Sequence, residues 1–316
     1  MAMGTWLVRL LGAALVISVW STGCCANGRV KTTVAGDFPD GIAVGEGAVW
    51  VAVRGNFRDP ASPPGFLLRV DPESCKILDS IPVGGRPCSV AVAHSAVWVT
   101  NWEHTKVSRI DPRTRAESKV GPVEGRYILG QYKLAADQNN IWVHNCTGTI
   151  AKIDPKTGTA QTWSVSHCHE LAGIAAGSNQ IWVLGKGKLF RLDPNDGKEI
   201  CSVTVGIHGK DVAFGEGSVW VVNAEPVNGT ISRIDPSTNQ VVATIPVGGD
   251  PLELAIGAGS IWVANMGSKS ISRIDPATNR VVQSIHVGKS PRRLAFGEGA
   301  LWFTSMDDHT LNRLEP

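Results

Sequence analysis

A hydrophobic–Trp–hydrophobic triplet recurs seven times along the chain, at Trp50, Trp98, Trp142, Trp182, Trp220, Trp262 and Trp302. The intervals are 48, 44, 40, 38, 42 and 40 residues. A period near 40 residues constrains the fold more than composition does. Each period must be one small unit that buries its apolar face only against its neighbours. A second marker keeps the same rhythm: Asp71-Pro72, Asp111-Pro112, Asp154-Pro155, Asp193-Pro194, Asp235-Pro236, Asp275-Pro276 and, last, Glu315-Pro316.

The clearest unit, residues 251–290, reads PLELAIGAGSIWVANMGSKSISRIDPATNRVVQSIHVGKS. It divides into four short segments: LELAIG (A), SIWVAN (B), SISRID (C) and RVVQSIHV (D). Apolar residues alternate in each, as half-buried strands require. GAGS and DPATN between them carry turn chemistry. No stretch after residue 28 has a helical period. Four-stranded units of this length are propeller blades. The fold class is therefore all-β, a seven-bladed β-propeller. An open β-solenoid is the alternative, but it would need caps at both ends, and no unit has that character. The last unit stops after segment C, at TLNRLEP, while residues 28–36, GRVKTTVAG, resemble a segment D. The N-terminal strand is expected to complete the last blade and close the ring, hiding an edge.

Residues 1–23 read as a signal peptide and 28–316 as one propeller domain. Arg9 is the only charge before an apolar run from Leu10 to Trp20, too short for an ordinary span and followed by small residues. The tetrapeptide STGC resembles a lipobox that would make Cys24 a lipidated N-terminus; cleavage without lipidation is the alternative. Export permits disulfides. Net charge is +2, which gives no basis for a nucleic-acid surface. The expected partners are a small polar molecule or another exported protein, with membrane contact through the anchor and a monomeric propeller.

Each repeat Trp is expected to pack between neighbouring blades rather than to hold a ligand. A–B and C–D connections are short and uniform, whereas D–A and B–C connections vary. The face carrying the variable loops, the top, is the candidate functional face. Two insertions lie there, residues 54–65 and 121–133; the second holds both tyrosines, Tyr127 and Tyr132. Residues 167–170, His-Cys-His-Glu, occupy the D–A connection of blades three and four, near His144 and Cys146 on blade three and His208 on the next D–A loop. Three readings stay open. The first is a Cys146–Cys168 disulfide. The second is a site for a divalent metal on His144, His167 and His169, a donor set that suits zinc, copper or iron. The third is an acid/base site with His169 or His144 as proton acceptor and Glu170 as its orienting group. Candidate ligand-binding residues around the channel mouth are Arg86, Asn101, Trp102, Tyr132, His208, Lys210, Asp211, Glu253 and Arg292. Asp37, Asp40, Asp250, Lys289 and Arg293 belong to the same region, which could equally be a solvated rim.

The sequence IWVAN…ISRIDPATNRVVQSIHVG resembles bacterial extracytoplasmic propellers of the YVTN/YncE-like type and the related virginiamycin B lyase-like group. The resemblance runs over residues 28–316 and implies seven blades. For the lyase-like group it further implies His and Glu side chains with magnesium at the channel mouth, Glu ending segment B and His following the segment-A proline. Asn101, Asn145, Asn223 and Asn265 stand at the first of these positions here, and Asp40, Cys88, Leu252 and Arg292 at the second. One fold hosts many chemistries. The expected function is thus an exported, lipid-anchored propeller binding a small polar ligand or a protein on its top face. A metal-dependent lyase or hydrolase is the alternative.

Overall fold

The structure, a computed structural model, describes residues 30–56, 64–102, 106–121, 133–145, 148–165, 171–185, 187–206, 208–225 and 227–316. All regular structure among them is antiparallel strand, in seven four-stranded sheets. Strand β1 (Val30–Val34) comes first. Blade one is β2 (Pro39–Gly45), β3 (Ala48–Val53), β4 (Phe66–Val70) and β5 (Ile77–Pro82). Blade two is β6 (Pro87–Ala93), β7 (Ala96–Asn101), β8 (Val107–Ile110) and β9 (Glu117–Val120). Blade three is β10 (Lys133–Ala136), β11 (Ile141–His144), β12 (Thr149–Ile153) and β13 (Ala160–Ser164). Blade four is β14 (Leu171–Gly177), β15 (Gln180–Gly185), β16 (Lys188–Leu192) and β17 (Glu199–Thr204). Blade five is β18 (Gly209–Gly215), β19 (Ser218–Asn223), β20 (Thr230–Asp235) and β21 (Gln240–Pro246). Blade six is β22 (Pro251–Gly257), β23 (Ser260–Asn265), β24 (Ser270–Asp275) and β25 (Arg280–His286). Blade seven is β26 (Pro291–Gly297), β27 (Ala300–Ser305) and β28 (Thr310–Leu314), completed by β1.

The expected ring closure is present: β1 pairs antiparallel with β28, from Val30 opposite Leu314 to Val34 opposite Thr310. The innermost strands pack side by side around a full circle, β26 returning to β2. Hairpin chemistry makes the inner corners. Glu46-Gly47, Glu216-Gly217, Ala258-Gly259 and Glu298-Gly299 all hold two successive positive φ angles. This is the type I′ geometry whose twist matches paired strands, and the glycine takes its second position without strain.

The core consists of seven interfaces between blades rather than one centre. Trp50 of blade one packs with Val97, Val99 and Ile110 of blade two, and Trp302 of blade seven closes the circle against Val49 and Val51 of blade one. All seven repeat tryptophans are essentially inaccessible. Space for each indole comes from its cross-strand partner, always alanine: Ala43, Ala91, Ala135, Ala175, Ala213, Ala255 and Ala295. The polar edge is satisfied locally in six blades, while Trp182 Nε1 has no partner among the described residues. Trp50 Nε1 donates to the Gly45 carbonyl at 3.1 Å, and Trp98, Trp220, Trp262 and Trp302 repeat the bond to the carbonyl five residues earlier. A cation from strand C lies over each indole: Arg69, Arg109, Lys152, Arg191, Arg233, Arg273 and Arg313, at 5.0–5.9 Å from the ring.

Several of these cations also reach the next blade. Arg233 donates to the Pro276 carbonyl at 2.5 Å and to Asn279 at 2.8 Å, and Arg191 and Lys152 do the same toward Pro236 and Pro194. The Asp-Pro repeat is therefore both a turn and a docking point. Its aspartate accepts backbone N–H bonds within the turn, as Asp111 does from Arg113 and Thr114. Trp220→Ala is expected to cost about 3–5 kcal/mol by emptying such an interface. Trp163→Ala, at a half-buried ring on outer strand β13, should cost clearly less. Denaturant midpoints of the two variants check the difference.

Candidate functional site

Six of the seven innermost strands break register near their first residues. The breaks fall between Pro39 and Ile42, Pro87 and Ser89, Leu171 and Gly173, Gly209 and Asp211, Pro251 and Glu253, and Pro291 and Arg293. A β-bulge re-aims the side chain it carries. In blade three, β10 simply starts at the equivalent place, Lys133. The residues so positioned, one per blade, are Gly41, Ser89, Lys133, Gly173, Asp211, Glu253 and Arg293. All but Gly173 line a cavity of about 170 Å³ in the channel, to which every innermost strand contributes.

The charges of this ring form a chain of ion pairs. Lys133 Nζ lies 2.5 Å from Asp211 and 3.8 Å from Glu253. Glu253 accepts from Arg293 Nη1 at 2.8 Å, and Arg293 Nε donates to Asp40 at 2.9 Å. Asp40 also receives Arg292 Nε at 3.3 Å and Arg54 Nη2. The second oxygen of Asp211 accepts the Leu254 N–H at 3.1 Å, locking blade five to blade six. Burial works to raise the Asp40 carboxyl, but Arg293, Arg54 and Arg292 outweigh it and hold it well below the usual carboxylate range. Burial raises Glu253 despite Lys133 and Arg293. The group has four cations (Arg54, Arg292, Arg293, Lys133) and three carboxylates (Asp40, Asp211, Glu253), leaving one surplus positive charge.

Two donors there are unused. Arg54 stacks over Trp102 at 4.5 Å, yet Arg54 Nε and Trp102 Nε1 are buried with no hydrogen-bond partner among the described residues. Cys88 lines the cavity with its Sγ 3.2 Å from the Thr100 hydroxyl, and burial pushes its thiol up.

The structure sorts the residues singled out from sequence. Asp211, Glu253, Arg292 and Trp102 belong to the ring or its cover; Asp40 and Arg293 are buried ring members rather than parts of a solvated rim. Asn101 is framework: it is buried and donates to the Val83 carbonyl at 3.4 Å. Arg86 accepts the Trp102 N–H through its carbonyl, placing it beside the cover. Lys210 is exposed, and His208 is exposed 3.4 Å from Glu225. His144 lies in the core between Trp142 and Asn145. Its Nδ1 is 3.4 Å from the Asn145 carbonyl, and its Nε2 has no partner. Burial pushes its imidazole down to about 4, so it is neutral and a weak base. Tyr132, Cys146, His167, Cys168, His169, Glu170 and Cys24 lie outside the described residues, and the disulfide, metal and acid/base readings of residues 167–170 lie there with them. Among the described residues, Cys75, Cys88 and Cys201 form no disulfide, and no three His, Cys, Asp or Glu side chains gather as a metal site would need.

Sequence reasoning missed Lys133 and Arg54 because both fall inside stretches read as inserted loops. A signal was available: the ring position is always nine residues before the repeat Trp, from Gly41 and Trp50 to Arg293 and Trp302.

His144 makes a pH prediction. The unfolded chain takes up this proton near 6.5, the folded protein only near about 4. Between those values the unfolded state binds more protons, so stability falls as pH drops through that window and is fully present above it. The loss should approach about 3 kcal/mol. His144→Val, which copies Val222 of blade five, should remove this part of the slope in urea denaturation at about pH 7 and about pH 4.5.

No protein-family model and no curated protein matches this sequence. Solved structures do match, 1498 chains in all, so widely that the likeness speaks for architecture alone. The computationally designed Ika8 protein is similar with a TM-score of 0.65 at 12% identity, over 89% of this chain and 96% of that one. A chain of Kuenenia stuttgartiensis hydrazine synthase is similar with a TM-score of 0.71 at 13% identity, over 93% of this chain and 99% of that one. Identity this low shows the shared propeller fold.

Proposed function

We propose that this chain is an exported, lipid-anchored β-propeller that binds a small polar ligand at the top of its central channel. The observation that carries the reading is the buried ring itself. Burying charge is costly unless the geometry repays it, and neighbouring blades are already joined by the Trp interfaces. Here Asp211, Glu253 and Arg293 are aimed into one cavity by bulges and Lys133 joins them, while Arg54, tied to the same network through Asp40, keeps one donor unused. Small-ligand sites have this character: concave, preformed, with a few convergent polar groups. Export and anchoring rest on Arg9, the apolar run and Cys24. The affinity to YVTN/YncE-like propellers rests on the repeat and on compatible compartment signals. The metal-dependent lyase or hydrolase reading depends on His144, His167, His169 and Glu170; of these only His144 is among the described residues, where it is buried.

The mature protein should gain thermal stability with one class in a panel of sugars, amino acids, carboxylates, polyamines and nucleosides. A ligand at about one hundred times its Kd adds about 2.7 kcal/mol. Ser89→Leu, which fills the cavity, should abolish the gain. A panel without effect on the wild type would sink the reading. The anchor is tested separately: Cys24→Ser should move the protein from the membrane fraction to the soluble one and abolish labelling by radioactive palmitate.

A further inference from the structure

We infer that the ligand taken by the channel is a small organic monocarboxylate, its carboxylate seated against Arg54 and Arg292 where they meet Asp40, and its polar remainder directed past Arg293, which pairs with the same Asp40 and lines the cavity. This rests on the channel-binding reading above and specifies its ligand.

Charge gives the first argument. Asp40 is surrounded by three guanidinium groups and both its oxygens are engaged: Oδ2 by Arg54, Oδ1 by Arg292 and Arg293. One carboxylate cannot match three forks of five donors each. Arg54 engages Asp40 through Nη2 alone and leaves its buried Nε unpartnered; Arg292 engages it through Nε alone. A buried guanidinium without a matched anion is unfavourable, and a bidentate carboxylate is the natural remedy.

Access gives the second. The Arg54 side chain is 5% exposed and Arg292 24%, so one wall of the seat is fixed and the other meets solvent. Stacking on Trp102 holds the Arg54 plane. Trp102 Nε1, also unpartnered, adds a neutral donor beside it.

Valence and size select within the anions. The surplus over the whole group is a single positive charge. A monoanion neutralises it, whereas a dianion such as phosphate would bring excess negative charge near Glu253 and Asp211. The cavity holds about 170 Å³, close to the roughly 150 Å³ that accommodates benzene in a protein core. That leaves room for about six heavy atoms. Ser89, Lys133 and Asp211 on its wall favour hydroxyl or amino substituents over a bare alkyl chain.

The test is isothermal titration of the mature protein at constant ionic strength with glycolate, benzoate and gluconate. Glycolamide, benzamide and inorganic phosphate serve as counterparts. A saturable signal for at least one carboxylate is expected, with at least tenfold weaker binding of its amide and of phosphate. Arg292→Gln, at a partly exposed side chain, should weaken the carboxylate at least tenfold while the protein still unfolds cooperatively, since Asp40 keeps Arg54 and Arg293. Asp40→Asn, which removes the internal competitor, should tighten it; if that variant does not fold, Arg292→Gln decides. Amide or phosphate binding as tight as carboxylate, or an unaltered affinity in Arg292→Gln, overturns the inference. A sugar or polyamine that binds and is lost in Ser89→Leu, with no carboxylate binding, overturns it too while leaving channel binding intact. Silence across every class removes both.

Discussion

Each blade is held to the next by one repeated arrangement: an indole facing alanine and a cation over its ring, with a carbonyl taking the N–H in five of the seven blades. No blade could stand alone, because its Trp is buried by the following sheet. The arrangement combines large apolar burial with a satisfied polar edge. Its cation often continues into the neighbouring Asp-Pro turn. The pattern joins hydrophobic, cation–π and hydrogen-bonding contacts at one point per blade. Ring closure follows, since an unclosed ring would leave the Trp302 face and the β28 edge bare. Strand β1 removes the edge, and blade one covers the indole.

This division of labour frees the channel. Stability resides between the blades, so the residue nine positions before each Trp is released from packing duties. Nature of the side chain there varies accordingly: two glycines, a serine, a lysine, two carboxylates and an arginine. The glycines have spatial reasons. A Cβ on Gly41 would sit 2.4 Å from the Cys88 carbonyl oxygen, and one on Gly173 would press on Val212 at 3.1 Å. Between blades three and five, Gly173 offers no side chain, and Lys133 reaches Asp211 across the gap. Low dielectric then strengthens every pair and raises the cost of every unmatched donor. Arg54 shows both effects at once, tightly held by Asp40 on one edge and unsatisfied on the other.

The fold was legible because its determinants are local and repeated. Segments B and C of blade six coincide with β23 and β24, and segments A and D differ from β22 and β25 by one residue at an end. Closure by residues 30–34 was readable because their alternation matches segment D. The site was legible only in outline. Asp211, Glu253 and Arg292 were found, but Asp40 and Arg293 could equally have been a wet rim. Alternation along a strand gives a side chain's face only when the register is unbroken, and here it breaks in six strands beside the charged position. Lys133 and Arg54 sit at strand ends next to insertions, where loop composition masks the count from Trp. His144 misleads for the opposite reason. Its chemistry suggests a site, while its position, two residues after Trp142, is the one filled by Thr100, Val222 and Ala264 in other blades.

Blade three joins these themes, because it departs from the repeat at several points. Its inner strand has four residues instead of seven. Its Trp142 donates to the Asp137 side chain rather than to a backbone carbonyl. Ala136 and Ala176 replace the Val, Ile or Phe that other blades place six residues before Trp, and clefts of about 880 and 970 Å³ flank the blade on the bottom face. A neutral histidine stands in its core. Local stability follows buried apolar contact, and among the described residues blade three has the shortest inner strand. Lys133 is its tie to the opposite side: through Asp211 and Glu253 it joins blade three to blades five and six, and through Arg293 and Asp40 to blades seven and one. The charged ring therefore has a structural role as well as a recognition role. It spans the channel beside the blade whose inner strand is shortest among the described residues, so the longest cross-channel tie is made where the strand itself contributes least.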